Sequence, residues 1–139
     1  METDDLDKVL VDTSAWLEFF KKKEPWYSVV SGLMDDKRVC CAGIILAELI
    51  QGAGSEKEMD VLRDFRHVFA FLDESVDHWQ AAGELSHALL RKGKSVGLSG
   101  CYLAVAAKTS MVQVLTLDKH FEMIKGAAGV ALYDLEKDV

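Results

Sequence analysis

Lys8-Val9-Leu10-Val11-Asp12-Thr13-Ser14-Ala15 is the stretch on which the reading of this chain turns. Its first half is a short β-forming run that ends at an aspartate. Thr13 and Ser14 follow as residues that start helices, and Trp16, Leu17, Phe19 and Phe20 then give the apolar cluster of a first helix. The alternation continues along the chain. After a break at Lys21, Lys22, Lys23 and Pro25, helical spacing resumes at Trp26, Val29, Val30, Leu33 and Met34. Residues 39–42 read as a second buried strand, and Gly43 turns the chain into a helix holding Leu46, Glu48, Leu49 and Ile50, closed by Gly52 and Gly54.

Further on, Ser55 with Glu58 three residues later is a capping-box signature for a helix reaching about residue 66. Residues 68–72 form the expected third strand. Ser75 opens a long amphipathic helix with Val76, Trp79, Ala82, Leu85, Leu89 and Leu90 on its apolar face. Arg91, Lys92 and Lys94 stop it. An Ala-rich helix over residues 99–107, a strand over 112–115, a short helix over 119–124 and a fifth strand over 130–133 complete the reading.

The chain has 139 residues, which suits a single domain spanning 1–139, and half of them are hydrophobic, which excludes a disordered polypeptide. The longest apolar stretch, residues 39–50, is far shorter than a bilayer span and contains Glu48. The acidic start Met-Glu-Thr-Asp-Asp lacks the basic region of a secretory signal, so the expectation is a soluble cytoplasmic protein with no membrane partner. A net charge of −7 argues against a uniformly basic nucleic-acid surface, yet leaves room for a local patch aided by metal ions. Cys40, Cys41 and Cys101 are odd in number and set among apolar neighbours, which predicts buried, reduced thiols.

Strands alternating with helices predict an α/β fold with a central parallel sheet of four to five strands, flanked by helices on both faces. Such sheets bind ligands in a crevice at the carboxyl ends of their strands. Asp12 and Asp118 stand at or just past two strand ends. Glu48 lies one helical turn into the segment after the second strand, and reads either as an exposed position or as a carboxylate drawn toward the crevice by its apolar neighbours. Buried carboxylates repel one another unless a cation lies between them, and hard Mg²⁺ or Mn²⁺ suits an oxygen-rich site.

The words around these acids add a resemblance. Val11-Asp12-Thr13-Ser14-Ala15, Ala47-Glu48-Leu49 with Gly52 after it, and Leu115-Thr116-Leu117-Asp118-Lys119-His120-Phe121 resemble the PIN-domain family, above all its VapC-type toxins from toxin–antitoxin pairs. The resemblance runs from about Val9 to Tyr133 and implies a PIN fold. It further implies a Mg²⁺- or Mn²⁺-dependent ribonuclease, typically a homodimer, with a VapB-like antitoxin as partner. Asp12, Glu48 and Asp118 match the family's metal-binding acids, and Ser14 and Thr116 its hydroxyls beside the first and last acid.

One position departs from the pattern. The family carries a further aspartate opening the apolar helix before the fourth strand, and here Gly100-Cys101-Tyr102-Leu103-Ala104 puts glycine in that place. Ser99 is expected to cap the helix in its stead, but not to replace a metal ligand. A naturally degenerate domain, a deliberate inactivation and an inactive clone all fit this change, and each implies impaired catalysis in this chain. The RNA backbone would be met by Lys21, Lys22 and Lys23, by Lys37 and Arg38, or by Arg91, Lys92 and Lys94, the alternative for each being a solvated loop.

Three other readings compete. Gly97-Leu98-Ser99-Gly100-Cys101 approaches a nucleophile elbow but ends in cysteine. Asp73 at the third strand fits a phosphoacceptor domain, although Thr13 stands where that class wants a second acid. A PIN-like module that binds RNA or a partner protein without cutting is the remaining alternative. The histidines show no paired metal spacing, and His120 is the one beside the candidate site.

Overall fold

A computed structural model describes residues 8–135. Its elements run β1 (Val9–Val11), α1 (Thr13–Phe20), α2 (Trp26–Asp35), β2 (Val39–Cys41), α3 (Gly43–Gln51), α4 (Glu56–Arg63), α5 (Phe65–Val68), β3 (Ala70–Phe71), α6 (Val76–Arg91), α7 (Leu98–Thr109), β4 (Gln113–Leu115) and α8 (His120–Ala128). The acidic start, residues 1–5, lies outside the described residues.

The four strands lie parallel in the order β3-β2-β1-β4, with Val9 opposite both Val39 and Gln113. Every residue of β1 and β2 is buried, as a sheet covered on both faces requires. From β1 the chain steps to β2 and β3 on one side, then returns across the sheet to β4 on the other side of β1. Right-handed crossovers put α1 to α5 on one face and α6 and α7 on the other. The order therefore reverses at β1 and β4, and the crevice of a doubly wound sheet opens at their carboxyl ends.

Below α1 the core is aromatic. Trp16, 1% exposed, packs its ring 5.5 Å from Phe19, 4.9 Å from Phe65 and 5.6 Å from Phe69. This packing explains why residues 68–72 are not the strand their composition suggests. Phe65 and Phe69 both turn toward Trp16, so the backbone coils into α5 through Val68, and only Ala70 and Phe71 remain to pair with β2.

The fifth strand is likewise reduced. After α8 the chain turns through Gly129 at φ 72°, and residues 130–133 make one parallel bridge, Val114 with Leu132. The sheet thus has four strands, because β4 is only three residues long and the run ends at Asp134.

Helix α6 buries Ala82, Ser86 and Leu89 and leaves Val76, Trp79 and Leu90 exposed, a face rotated from the expected one. Ser86 is tolerated there because its hydroxyl donates to the Val96 carbonyl at 3.0 Å. The capping expectations hold at Ser55 and Ser75, whose hydroxyls accept the amides of Glu58 and His78. At α7 the cap differs. That helix begins at Leu98 with Gly97 as N-cap and no side-chain cap bond, so Ser99 lies inside the first turn and does not cap it.

All three cysteines are buried and none is in a disulfide, and burial pushes the Cys41 thiol up to about 11. Among the described residues, no helix is long and apolar enough to cross a membrane.

Candidate functional site

Asp12 ends β1 and is buried, with 7% of its surface exposed. Its amide donates to the Leu115 carbonyl at 3.0 Å, which pins it to the end of β4, and its carbonyl accepts the Ala15 and Trp16 amides that begin α1. The carboxylate makes no cap bond and is left for other work. Oδ2 accepts the Ser14 hydroxyl at 3.1 Å and the Thr116 hydroxyl at 2.8 Å. Each hydroxyl has one proton, and both are committed to Asp12, so the 3.3 Å approach of Ser14 Oγ to Thr116 Oγ1 is a contact without a proton of its own.

The same two oxygens also accept. Ser14 Oγ takes the Leu117 amide and Thr116 Oγ1 the Asp118 amide, each at 3.0 Å. The loop after β4 is thereby clamped onto the start of α1. Asp118 is exposed, and its Oδ1 accepts the His120 amide at 2.9 Å and lies 3.0 Å from His120 Nδ1. Glu48, half-buried on α3, accepts the Thr13 hydroxyl on Oε1 at 2.6 Å. Hydroxyls therefore tie Asp12 into the β4 loop that carries Asp118, and Thr13 ties Glu48 to the start of α1.

The donors are all hard oxygens, which fits Mg²⁺ or Mn²⁺ rather than a softer metal. Convergence is incomplete: among the described residues, no three Asp, Glu, His or Cys side chains gather in a way that could hold one ion. Gly100 contributes no carboxylate. A Cβ at Gly100 would meet Ile124 Cδ1 at 3.5 Å and Val96 Cγ1 at 3.9 Å, ordinary contacts, and its φ is not positive. Neither space nor backbone demands glycine there.

The basic segments separate. Arg38 directly precedes β2, and its carbonyl accepts the amide of Val9, the first residue of β1. Lys37 and Arg38 thus lie at the amino ends of the strands, opposite the acids. Lys21, Lys22 and Lys23 follow α1, an eight-residue helix that carries them about 12 Å along its axis from Asp12. Lys92 and Lys94 instead line a hollow with Glu122, Met123 and Gly126 of α8, the helix that follows Asp118.

Sequence reasoning missed two features. Thr13 read only as a helix starter, and the signal was three consecutive oxygen-bearing side chains at a strand end. Tyr102 stacks on Trp79 at 3.9 Å and donates to Glu74 at 3.4 Å, and burial and then the Glu74 charge push its phenol up. Asp73 follows β3, at the opposite edge of the sheet from β4 and Asp118. An apolar groove of about 290 Å³ also opens between α1, α3 and α4, lined by Leu17, Phe20, Leu49, Val61 and Leu62 with Lys21 and Glu58.

A parallel α/β sheet with a buried aspartate at its reversal point and further acids on the flanking segments defines a class with an acid-lined crevice. The chain belongs to the PIN domain family, whose profile matches residues 9–127. Among solved structures it is similar to DNA-bound VapBC from Salmonella typhimurium, at 25% identity and TM-score 0.70 over 91% of this chain and 97% of that one. It also resembles VapBC-1 from nontypeable Haemophilus influenzae, at 22% identity and TM-score 0.72 over 91% and 96%. A third is VapBC-5, a toxin–antitoxin family member from Mycobacterium tuberculosis, at 22% and 0.63 over 93% and 99%. No curated protein matches. PIN domains of the VapC type are nucleases, and PIN nucleases generally use a divalent metal.

Proposed function

We propose that this chain is the VapC-like ribonuclease toxin of a toxin–antitoxin pair, built to hydrolyse RNA phosphodiesters and impaired by Gly100. The observation that carries this reading is Asp12. It is a buried carboxylate at the sheet's reversal point, with one oxygen held by two hydroxyls and the other without a hydrogen-bond partner among the described residues.

The residues that would hold Mg²⁺ or Mn²⁺ are Asp12, Glu48 and Asp118, whose side chains would have to draw closer together than they stand here. Bound there, the ion would supply a water of lowered pKa and charge stabilisation at the leaving oxygen. Ser14 and Thr116 hold the Asp12 carboxylate in place through their hydrogen bonds to Oδ2. They also keep the Asp118 loop docked on α1. Lys92 and Lys94, which line the hollow beside α8, would meet RNA phosphates together with neighbouring Arg91. Of Lys21, Lys22 and Lys23, Lys21 lines the apolar groove instead.

That groove suits an apolar segment of a VapB-like antitoxin, a partner supported by the VapBC neighbours. A cytoplasmic homodimer is the expected working form. The second reading, a PIN-like module that binds RNA or a partner without cutting, is favoured by Gly100 alone.

Cleavage of tRNA and ribosomal RNA with Mg²⁺ or Mn²⁺ tests the proposal, comparing this chain with Gly100→Asp. The expected result is a gain of at least about 10–100-fold in the aspartate form, since even changes beyond the ligands themselves cost that much. EDTA and Asp12→Ala should abolish it. Silence from both forms across the RNA panel overturns the ribonuclease reading and leaves the binding module.

A further inference from the structure

Thr13 and Ser14 are neighbours in sequence, yet their hydroxyls serve different carboxylates. Ser14 turns back to Asp12 Oδ2 at 3.1 Å, whereas Thr13 reaches across 35 residues of chain to Glu48 Oε1 at 2.6 Å. That distance lies at the short, charge-assisted end for a hydroxyl on a carboxylate. Among the described residues, the Glu48 side chain has no other hydrogen bond or ion pair, so Thr13 alone orients it. Asp12 and Glu48 are then held in the same manner, each with one oxygen occupied by protein hydroxyls and the other left over.

We propose that Thr13 is a positioning residue for Glu48, fixing Oε1 so that Oε2 is the atom turned toward a divalent cation; this rests on the metal-dependent reading above. Thr13 suits the task. As the first residue of α1 it is carried by the helix that Asp12 starts, so the two carboxylates share one rigid mount. Its β-branched side chain has few χ1 choices, which sets the direction of the hydroxyl. A glutamate on a helix otherwise keeps three free torsions, and a ligand that must be ordered on binding binds more weakly. Residues that hydrogen-bond to metal-ligating groups typically change affinity by about 10–100-fold when removed.

The test is Mn²⁺ binding, followed by electron paramagnetic resonance, on this chain and on its Gly100→Asp form. Each carries Thr13→Val, Thr13→Ser or Glu48→Gln. Thr13→Val keeps the shape and removes the hydroxyl, and should weaken Mn²⁺ binding by about 10–100-fold. Thr13→Ser restores the hydroxyl and should return affinity toward the parent. Adding Thr13→Val to Glu48→Gln should cause no further loss, because the group it orients is already gone. A loss with Glu48→Gln and none with Thr13→Val overturns the role of Thr13 while leaving the metal site standing. No effect of Glu48→Gln, or no Mn²⁺ binding in either background, overturns the site reading and the inference with it. Thermal melts of each variant separate misfolding from lost affinity: a Thr13→Val protein that melts lower yet binds Mn²⁺ as the parent does also overturns the proposal.

Discussion

The two halves of the crevice are built to different standards. On the β1–β4 side, the side chains of Asp12, Thr13, Ser14 and Thr116 each have a named hydrogen-bond partner, and the Trp16 aromatic cluster supports the helix beneath. On the α7 side, the N-cap is Gly97 with no side-chain bond, and the first turn holds Ser99, which does not cap, and Gly100, where the family resemblance implies an acid. The difference teaches that scaffold and chemistry are separable here. The half that organises the fold is complete, and on the proposed reading the other half lacks one carboxylate, at a position where a Cβ meets only ordinary contacts.

The predictions probe that contrast in order of size. Trp16→Ala attacks the strong half and should cost about 3–5 kcal/mol, the usual range for removing a buried aromatic side chain. Urea unfolding reads this directly, and a loss under 1 kcal/mol would mean that the aromatic cluster does not anchor α1. Thr116→Val comes next. It removes one of the two hydroxyls on Asp12 and the acceptor of the Asp118 amide, so Mn²⁺ affinity of the Gly100→Asp form should fall by about 10–100-fold. An unchanged titration would show that Ser14 alone suffices.

The smallest effect is a pH dependence at the middle of the sheet. Burial raises the Cys41 thiol from 9.0 to about 11 in the folded state. The unfolded chain therefore loses its proton first, and the stability that this group contributes is present below about pH 9 and lost as pH rises toward 11. Tyr102, also raised, acts in the same direction. Cys41→Val should flatten part of the alkaline loss in a denaturation series, and a slope unchanged by the substitution would assign it to other groups. In the native state, a thiol reagent at pH 8 should label none of the three cysteines, since all are buried.

Much of this was legible in the sequence because it is local. The strand-acid-hydroxyl turn at residues 9–14, the Ser55 and Ser75 caps and the helix after Gly43 depend on neighbours a few positions away. The acids at strand ends followed from the alternation alone, and their family likeness from three short words. What stayed hidden depends on contacts between distant segments. Thr13 and Glu48 are 35 residues apart. The shortness of β3 comes from Phe65 and Phe69 turning to Trp16, and the rotated face of α6 from a serine satisfied by Val96. Basic segments that look equivalent as charge runs fall at opposite ends of the sheet, because strand direction decides where each one lies.

The hydrogen bond from Thr116 to Asp12 spans 104 residues of chain and the one from the Leu117 amide to Ser14 spans 103, and β4 is the last of the four strands to be made. During synthesis, a ribosome-bound chain ending anywhere before Thr116 carries the first aspartate without its clamp and without the loop that bears Asp118. The order of translation thus acts as a safety catch: whatever chemistry this crevice performs begins only after the chain has emerged past Asp118.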